Sequence, residues 1–196
     1  GKKALLPCML WEAQGHRGPF QGADEPFLRV WSWKDELPAR RMAFAGRLLG
    51  DQVLLVHTRL LPALLGGRGP LDVTQLYEDG ELSREAWELW KALVASKKPL
   101  GRKALRRTLG LEDKSGAGRF DRACRDLERL VLVTRAGSSP QASGWDSNAY
   151  VLVQRHFPDT AALRRRESVE ALDVALREAA PEASPAQLGR WLAALT

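Results

Sequence analysis

The sequence predicts a mainly α fold with small β-sheets, an α+β chain, and three observations carry that expectation. Apolar residues recur every three or four positions over 86–94, 102–109 and 119–130, the period of helices that bury one stripe. Two short apolar runs, Val131–Val133 and Ala149–Val153, follow those helices and read as strands. The interval between them is rich in Gly, Ser and Pro, which marks a loop.

Each element can be justified in order. The first 22 residues, with Pro7, Gly15, Gly18 and Gly22, are expected to be irregular. Leu28, Val30 and Ser32 alternate against Phe27, Arg29, Trp31 and Trp33, so Phe27–Trp33 predicts a short strand. Pro38 fits the first turn of a helix in which Met42, Ala45, Leu48 and Leu49 keep helical spacing up to Gly50. Asp35 and Glu36, beside Trp31 and Trp33, would then favour that helix's N-terminus. Val53–Val56 predicts a strand, Thr58 the cap of a short helix ending at Gly66 and Gly67, and the cluster through Pro70 a boundary. Residues 1–70 are thus expected to form a mixed α/β N-terminal unit.

The next stretch is more regular. Ser83 is placed to start a helix whose apolar stripe is Ala86, Trp87, Trp90, Leu93 and Val94. A second helix runs over Arg102–Leu109, with Gly110 as its left-handed stop, and a third over Arg119–Leu130. Helix, helix, helix, strand, long loop, strand is the order of a winged helix-turn-helix, expected over residues 71–158. A shift of 83 residues lays Leu89, Leu93, Leu105 and Leu109 onto Leu172, Leu176, Leu188 and Leu192, and Gly101 onto Ser184. Residues 159–196 therefore read as a helical hairpin resembling a partial helix-turn-helix, which suggests tandem winged-helix-like units and leaves a homodimer through these helices open.

Charge is concentrated where that central unit lies. Residues 1–96 hold twelve basic and twelve acidic side chains and residues 136–196 six and seven, whereas 97–135 hold twelve against five, a net of +7. On the third helix, stepping about 100° per residue puts Phe120, Ala123, Cys124, Leu127 and Leu130 on one face and Arg122, Arg125 and Arg129 on the opposite one. Apolar residues that dock a helix and arginines that point outward are what a recognition helix in the major groove requires. Arg102 and Lys103 stand at the start of the second helix, where the helix dipole disfavours cations, a placement that serves a phosphate. The candidate DNA contacts are Arg102, Lys103, Arg106, Arg107, Arg119, Arg122, Arg125, Arg129 and Arg135, and the partner is double-stranded DNA. The loop Ala136–Asn148 would be the wing; it holds no Lys or Arg, and its Trp145 reads as a packing residue.

Other function classes lack their residues. No run of about 18 apolar residues suits a membrane span. The N-terminus lacks a signal-peptide pattern, and with two cysteines, Cys8 and Cys124, a cytoplasmic or nucleoid-associated protein is expected. Three histidines and two cysteines offer no multi-ligand metal set, and no cofactor is expected. No phosphate loop, dinucleotide fingerprint, zinc-protease helix, nucleophile elbow or Cys-x-x-Cys is present. Cys124 falls on a core face, His57 ends an apolar strand, His156 follows the last strand, and no catalytic residue is assigned.

The residues also carry a family resemblance. Trp31-Ser32-Trp33-Lys34-Asp35-Glu36-Leu37-Pro38, Gly46-Arg47-Leu48-Leu49, Leu60-Leu61-Pro62 and Tyr77-Glu78-Asp79-Gly80-Glu81-Leu82-Ser83 resemble winged-helix proteins related to the AlkZ/YcaQ DNA glycosylases. Ala104-Leu105-Arg106, Phe120-Asp121-Arg122-Ala123, Gly144-Trp145 and Phe157-Pro158 extend the likeness over residues 9–160. The resemblance implies tandem winged helices that bind DNA and, in catalytic members, excision of alkylated or crosslinked bases by a Gln, apolar, Gln or Asp signature. Gln52-Val53-Leu54 and Gln75-Leu76-Tyr77 both depart from it at the third position. The expected function is therefore non-catalytic DNA binding in repair or transcription, with a divergent glycosylase using Asp35 or Glu36, and a protein-interaction module, as the alternatives.

Overall fold

A computed structural model describes residues 25–139 and 147–196. Among these, nine α-helices and two small antiparallel sheets form the mixed α+β fold that the sequence predicts. The first 22 residues, Cys8 and Trp145 lie outside the described residues.

Helix α1 spans Glu25–Ala39, so Phe27–Trp33 is helical and not a strand. Phe27, Val30, Trp33 and Leu37 also recur every three or four positions, so the same apolar residues fit a helix, and that period prevails over the two-residue alternation. Pro38 falls at the C-terminal end, and Asp35 and Glu36 sit in the second half of α1, where they cap no N-terminus. The segment from Met42 corrects the other way. Ala43–Gly46 is strand β1, buried throughout, paired antiparallel with β2 (Leu54–His57) in the register Phe44↔Val56. Thr58 does not cap the next helix. It opens a 3₁₀ turn, Thr58–Leu60, whose cap is His57, with Nδ1 accepting from Arg59 N–H at 3.1 Å. Helix α2, Leu61–Arg68, follows with Pro62 in its first turn.

The winged-helix-like portion comprises α3 (Val73–Glu78), α4 (Arg84–Ala95), β3 (Leu100–Gly101), α5 (Arg102–Thr108), α6 (Gly116–Arg129), β4 (Val133–Ser139) and β5 (Ser147–Leu152). Ser83 caps α4 by accepting from Ala86 N–H at 3.2 Å, and Gly110 at φ +64° ends α5, both as predicted. The strand order is β3-β5-β4, with Leu100↔Tyr150 and Val133↔Leu152 in register. Strand β4 starts at Val133 because Val131 and Leu132 close the α6 terminus: Leu132 N–H reaches Leu127 C=O and Val131 adopts φ +57°. The core here is Leu82, Ala86, Leu89, Leu93, Leu105, Phe120, Ala123, Leu127 and Tyr150.

Helices α7 (Val153–His156), α8 (Arg165–Ala179) and α9 (Pro185–Leu195) complete the chain. Helices α5 and α9 begin at Arg102 and Pro185, 83 positions apart, as the leucine repeat implies. The apolar faces of α8 and α9 turn inward on α2, in a second core of Phe44, Leu48, Leu61, Leu64, Val131, Val153, Phe157, Leu172 and Leu195. The approach is close: a Cβ on Gly66 would lie 2.2 Å from both Leu163 O and Ser168 Oγ.

Three contacts join the two cores. Thr134 on β4 receives Ala45 N–H at 3.1 Å and donates to Ala45 C=O at 3.2 Å. His156 Nε2 bonds Pro38 C=O at 2.7 Å, and burial holds its imidazole below the usual histidine range. Next to the second of these, Gly137, at φ +96°, lets α1 cross β4, because a Cβ there would meet Ala39 Cβ at 2.9 Å. The third contact belongs to the candidate site.

Candidate nucleic-acid interface

The site is built on α6 and the turn before it. Asp113 accepts from Gly116 N–H at 2.9 Å and from the Ser115 hydroxyl, which together hold its carboxyl below the usual range. Glycine is required at 116, since a Cβ would meet Leu111 O at 2.6 Å. Arg106 ties the same turn down, donating from Nε to Leu111 C=O at 2.8 Å and from NH2 to Asp113 C=O at 2.6 Å. These bonds fix the turn between α5 and α6.

The apolar stripe of α6 is buried as predicted: Phe120, Ala123, Cys124 and Leu127 are each fully enclosed. Burial pushes the Cys124 thiol up to about 12, which removes it as a nucleophile near neutral pH. On the other side, Arg122 and Arg129 are exposed and enter none of the ion pairs among the described residues. Arg125 is half-buried with Nε 3.2 Å from Asp51 Oδ1, on the turn between β1 and β2. Asp126 lies among the three arginines; burial raises its carboxyl, against the pull of Arg129, Arg125 and Arg122.

The remaining predicted contacts divide by partner. Lys103 is exposed and unpaired among the described residues. Arg107 and Arg119 reach Glu112 and Glu85, each at 3.3 Å, in exposed pairs of the kind worth about 0–1 kcal/mol. Arg102 forks onto Asp121, with NH2 3.0 Å from Oδ2, and lies 4.9 Å from the Phe120 ring centroid. That bond raises the guanidinium and lowers the carboxyl from their ordinary values. Arg135 donates to Glu128 Oε1 at 3.0 Å. Arg102, Lys103, Arg106 and Glu112 border an open notch of about 420 Å³.

Glu128 is a residue of this region that the charge pattern does not single out. It belongs on the edge of the core face, fully buried, and its Oε2 accepts from Arg47 N–H at 3.1 Å and Arg47 NH1 at 3.2 Å. Arg47 just after β1 and Arg135 on β4 close on the buried Glu128 carboxylate of α6, and this triad is the third contact joining the two cores. A signal existed in the sequence: Glu128 stands four residues after Cys124 and eight after Phe120, at core spacing.

Among the described residues no group of His, Cys, Asp and Glu could hold a metal ion, and no helix is long and apolar enough to cross a membrane. The family model described as "AlkZ related" matches residues 10–193. No curated protein and no solved structure matches the chain.

Proposed function

The chain belongs to the AlkZ-related family, and from that membership we propose that it is a DNA-binding, non-catalytic protein of DNA repair or transcription. Its central unit, residues 71–158, contacts duplex DNA through the outer face of α6. The observation that carries this reading is the division on that helix: four fully buried apolar residues dock it, while Arg122 and Arg129 stay exposed and form no ion pair among the described residues. Lys103, Arg107 and Arg119 complete a phosphate-facing set, the last two released from weak surface pairs. Arg102, Arg106, Arg125 and Arg135 contribute mainly by holding the frame.

If about five phosphates are neutralised, log affinity falls with log salt at a slope of about −4.5. Fluorescence anisotropy on a labelled duplex measures it. Arg122→Glu with Arg129→Glu is expected to abolish binding while the thermal melt stays in place. Salt-independent binding, or binding unchanged in that variant, overturns the proposal.

Family membership also favours a second reading, a divergent glycosylase acting on alkylated or crosslinked bases. Asp35 and Glu36 are its candidate groups, both on α1, with Asp35 bonded to Lys34. Base release from damaged duplex that disappears in Asp35→Asn or Glu36→Gln supports it; intact substrate after long incubation rejects it.

A further inference from the structure

The corner between α3 and α4 carries a feature that lies outside the α6 face. Tyr77 stacks on Trp87 with ring centroids 5.3 Å apart and planes 5° apart, and Trp87 stacks on Trp90 at 5.2 Å and 16°. Trp87 and Trp90 touch the central core from its edge, whereas Tyr77, the end of the ladder, is 36% exposed. Aromatic rings kept at the surface offer large contact area with little side-chain entropy to lose.

The charge around the ladder names what fits it. Residues 72–88 hold Asp72, Glu78, Asp79, Glu81, Glu85 and Glu88 against Arg84 alone, a net of −5 next to the +7 segment. A phosphate backbone is repelled from such a face. Glu78 and Glu81 are exposed and enter no ion pair among the described residues. The chain's own Lys91 displays the mode of recognition: its Nζ lies 5.5 Å from the Trp87 ring centroid while bonding Glu88 Oε1 at 2.9 Å. A cation over a ring and held by a carboxylate is already formed here.

We propose that the Tyr77–Trp87–Trp90 ladder docks an arginine-bearing basic segment of another protein. A guanidinium suits the site because its plane matches an exposed ring such as Tyr77 and its five donors match carboxylates such as those of Glu78 and Glu81, which lie beside Tyr77 in the chain. This face and the α6 face then serve different partners.

The test uses the whole chain and a fluorescein-labelled peptide of about a dozen alternating Arg and Gly residues, with a Glu/Gly counterpart. The Arg peptide binds and the Glu peptide does not. Tyr77→Ala weakens binding about tenfold, and Glu78→Gln with Glu81→Gln, two exposed changes that leave packing intact, weakens it several-fold. Duplex affinity is the same in both variants. Arg-peptide affinity unchanged in both variants, equal uptake of the Glu peptide, or loss of duplex binding in Tyr77→Ala overturns the proposal. So does a dimer in sedimentation that Tyr77→Ala dissociates, which would make a second copy the occupant. The peptide arm stands whether or not the protein binds DNA.

Discussion

The winged-helix-like unit closes its core from one continuous stretch, Val73 to Leu152, whereas the second core takes Phe44, Leu61 and Leu64 from one end of the chain and Leu172 and Leu195 from the other. In the first, each helix meets its neighbours within a few tens of residues, and local stops and caps set the angles. In the second, α2 is held by α8 across about a hundred residues of sequence, so its geometry depends on the first unit being in place. The chain switches between cores at two corners: Val131 and Val153 point into the second core while their neighbours Leu127 and Leu152 belong to the first. The basic face of α6 is thus mounted on a local fold whose orientation to the rest depends on a few seam contacts.

The largest expected effect comes from breaking that seam. Glu128→Ala leaves Arg47 and Arg135, with side chains 18% and 12% exposed, without their shared carboxylate. The cost of stranding buried charge in this way is about 3–5 kcal/mol, read by urea unfolding. Replacing all three by apolar residues, Arg47→Met, Glu128→Leu and Arg135→Met, is expected to restore most of the loss. A single-variant loss under about 1 kcal/mol would show that the triad does not hold the cores together.

A smaller effect separates the two cores. Gly66→Ala pushes a methyl into Leu163 O and Ser168 Oγ, and backbone must shift, at about 1–3 kcal/mol. Hydrogen exchange should rise in α2, α8 and α9 and stay unchanged in α4, α5 and α6. Equal loss of protection in both would mean that the units unfold as one.

The same contrast explains what was legible in the sequence. The helices of the central unit were readable because Ser83, Gly110 and the stripe from Phe120 to Leu127 are local signals that agree with the final packing. Segment 43–46 was misread because its partner strand and its Thr134 anchor lie outside any short window, so the apolar positions at 42, 45, 48 and 49 imitated a helix. At the site, the charge surplus and the face of α6 were legible, but the partners were not. Asp121, Glu85 and Asp51 come to pair with Arg102, Arg119 and Arg125 only after folding.

The smallest effect sharpens the comparison at single residues. Arg41 and Val131 are non-glycine residues with positive φ, at 59° and 57°, and both close a helix in the same way: Met42 N–H reaches Leu37 C=O as Leu132 N–H reaches Leu127 C=O. The left-handed conformation costs a side-chain-bearing residue about 1–2 kcal/mol. Arg41 is exposed, so Arg41→Gly relieves that strain and loses only unfolded-state entropy, for a net gain of about 0.5–1 kcal/mol. Val131 is 2% exposed and fills the second core, so Val131→Gly gives up about 1.5–3 kcal/mol of burial and ends as a net loss. Thermal melts of the two variants should therefore move in opposite directions. A rise in both would mean that the Val131 side chain contributes no packing at the seam, and a fall in both that Arg41 carries no strain to relieve.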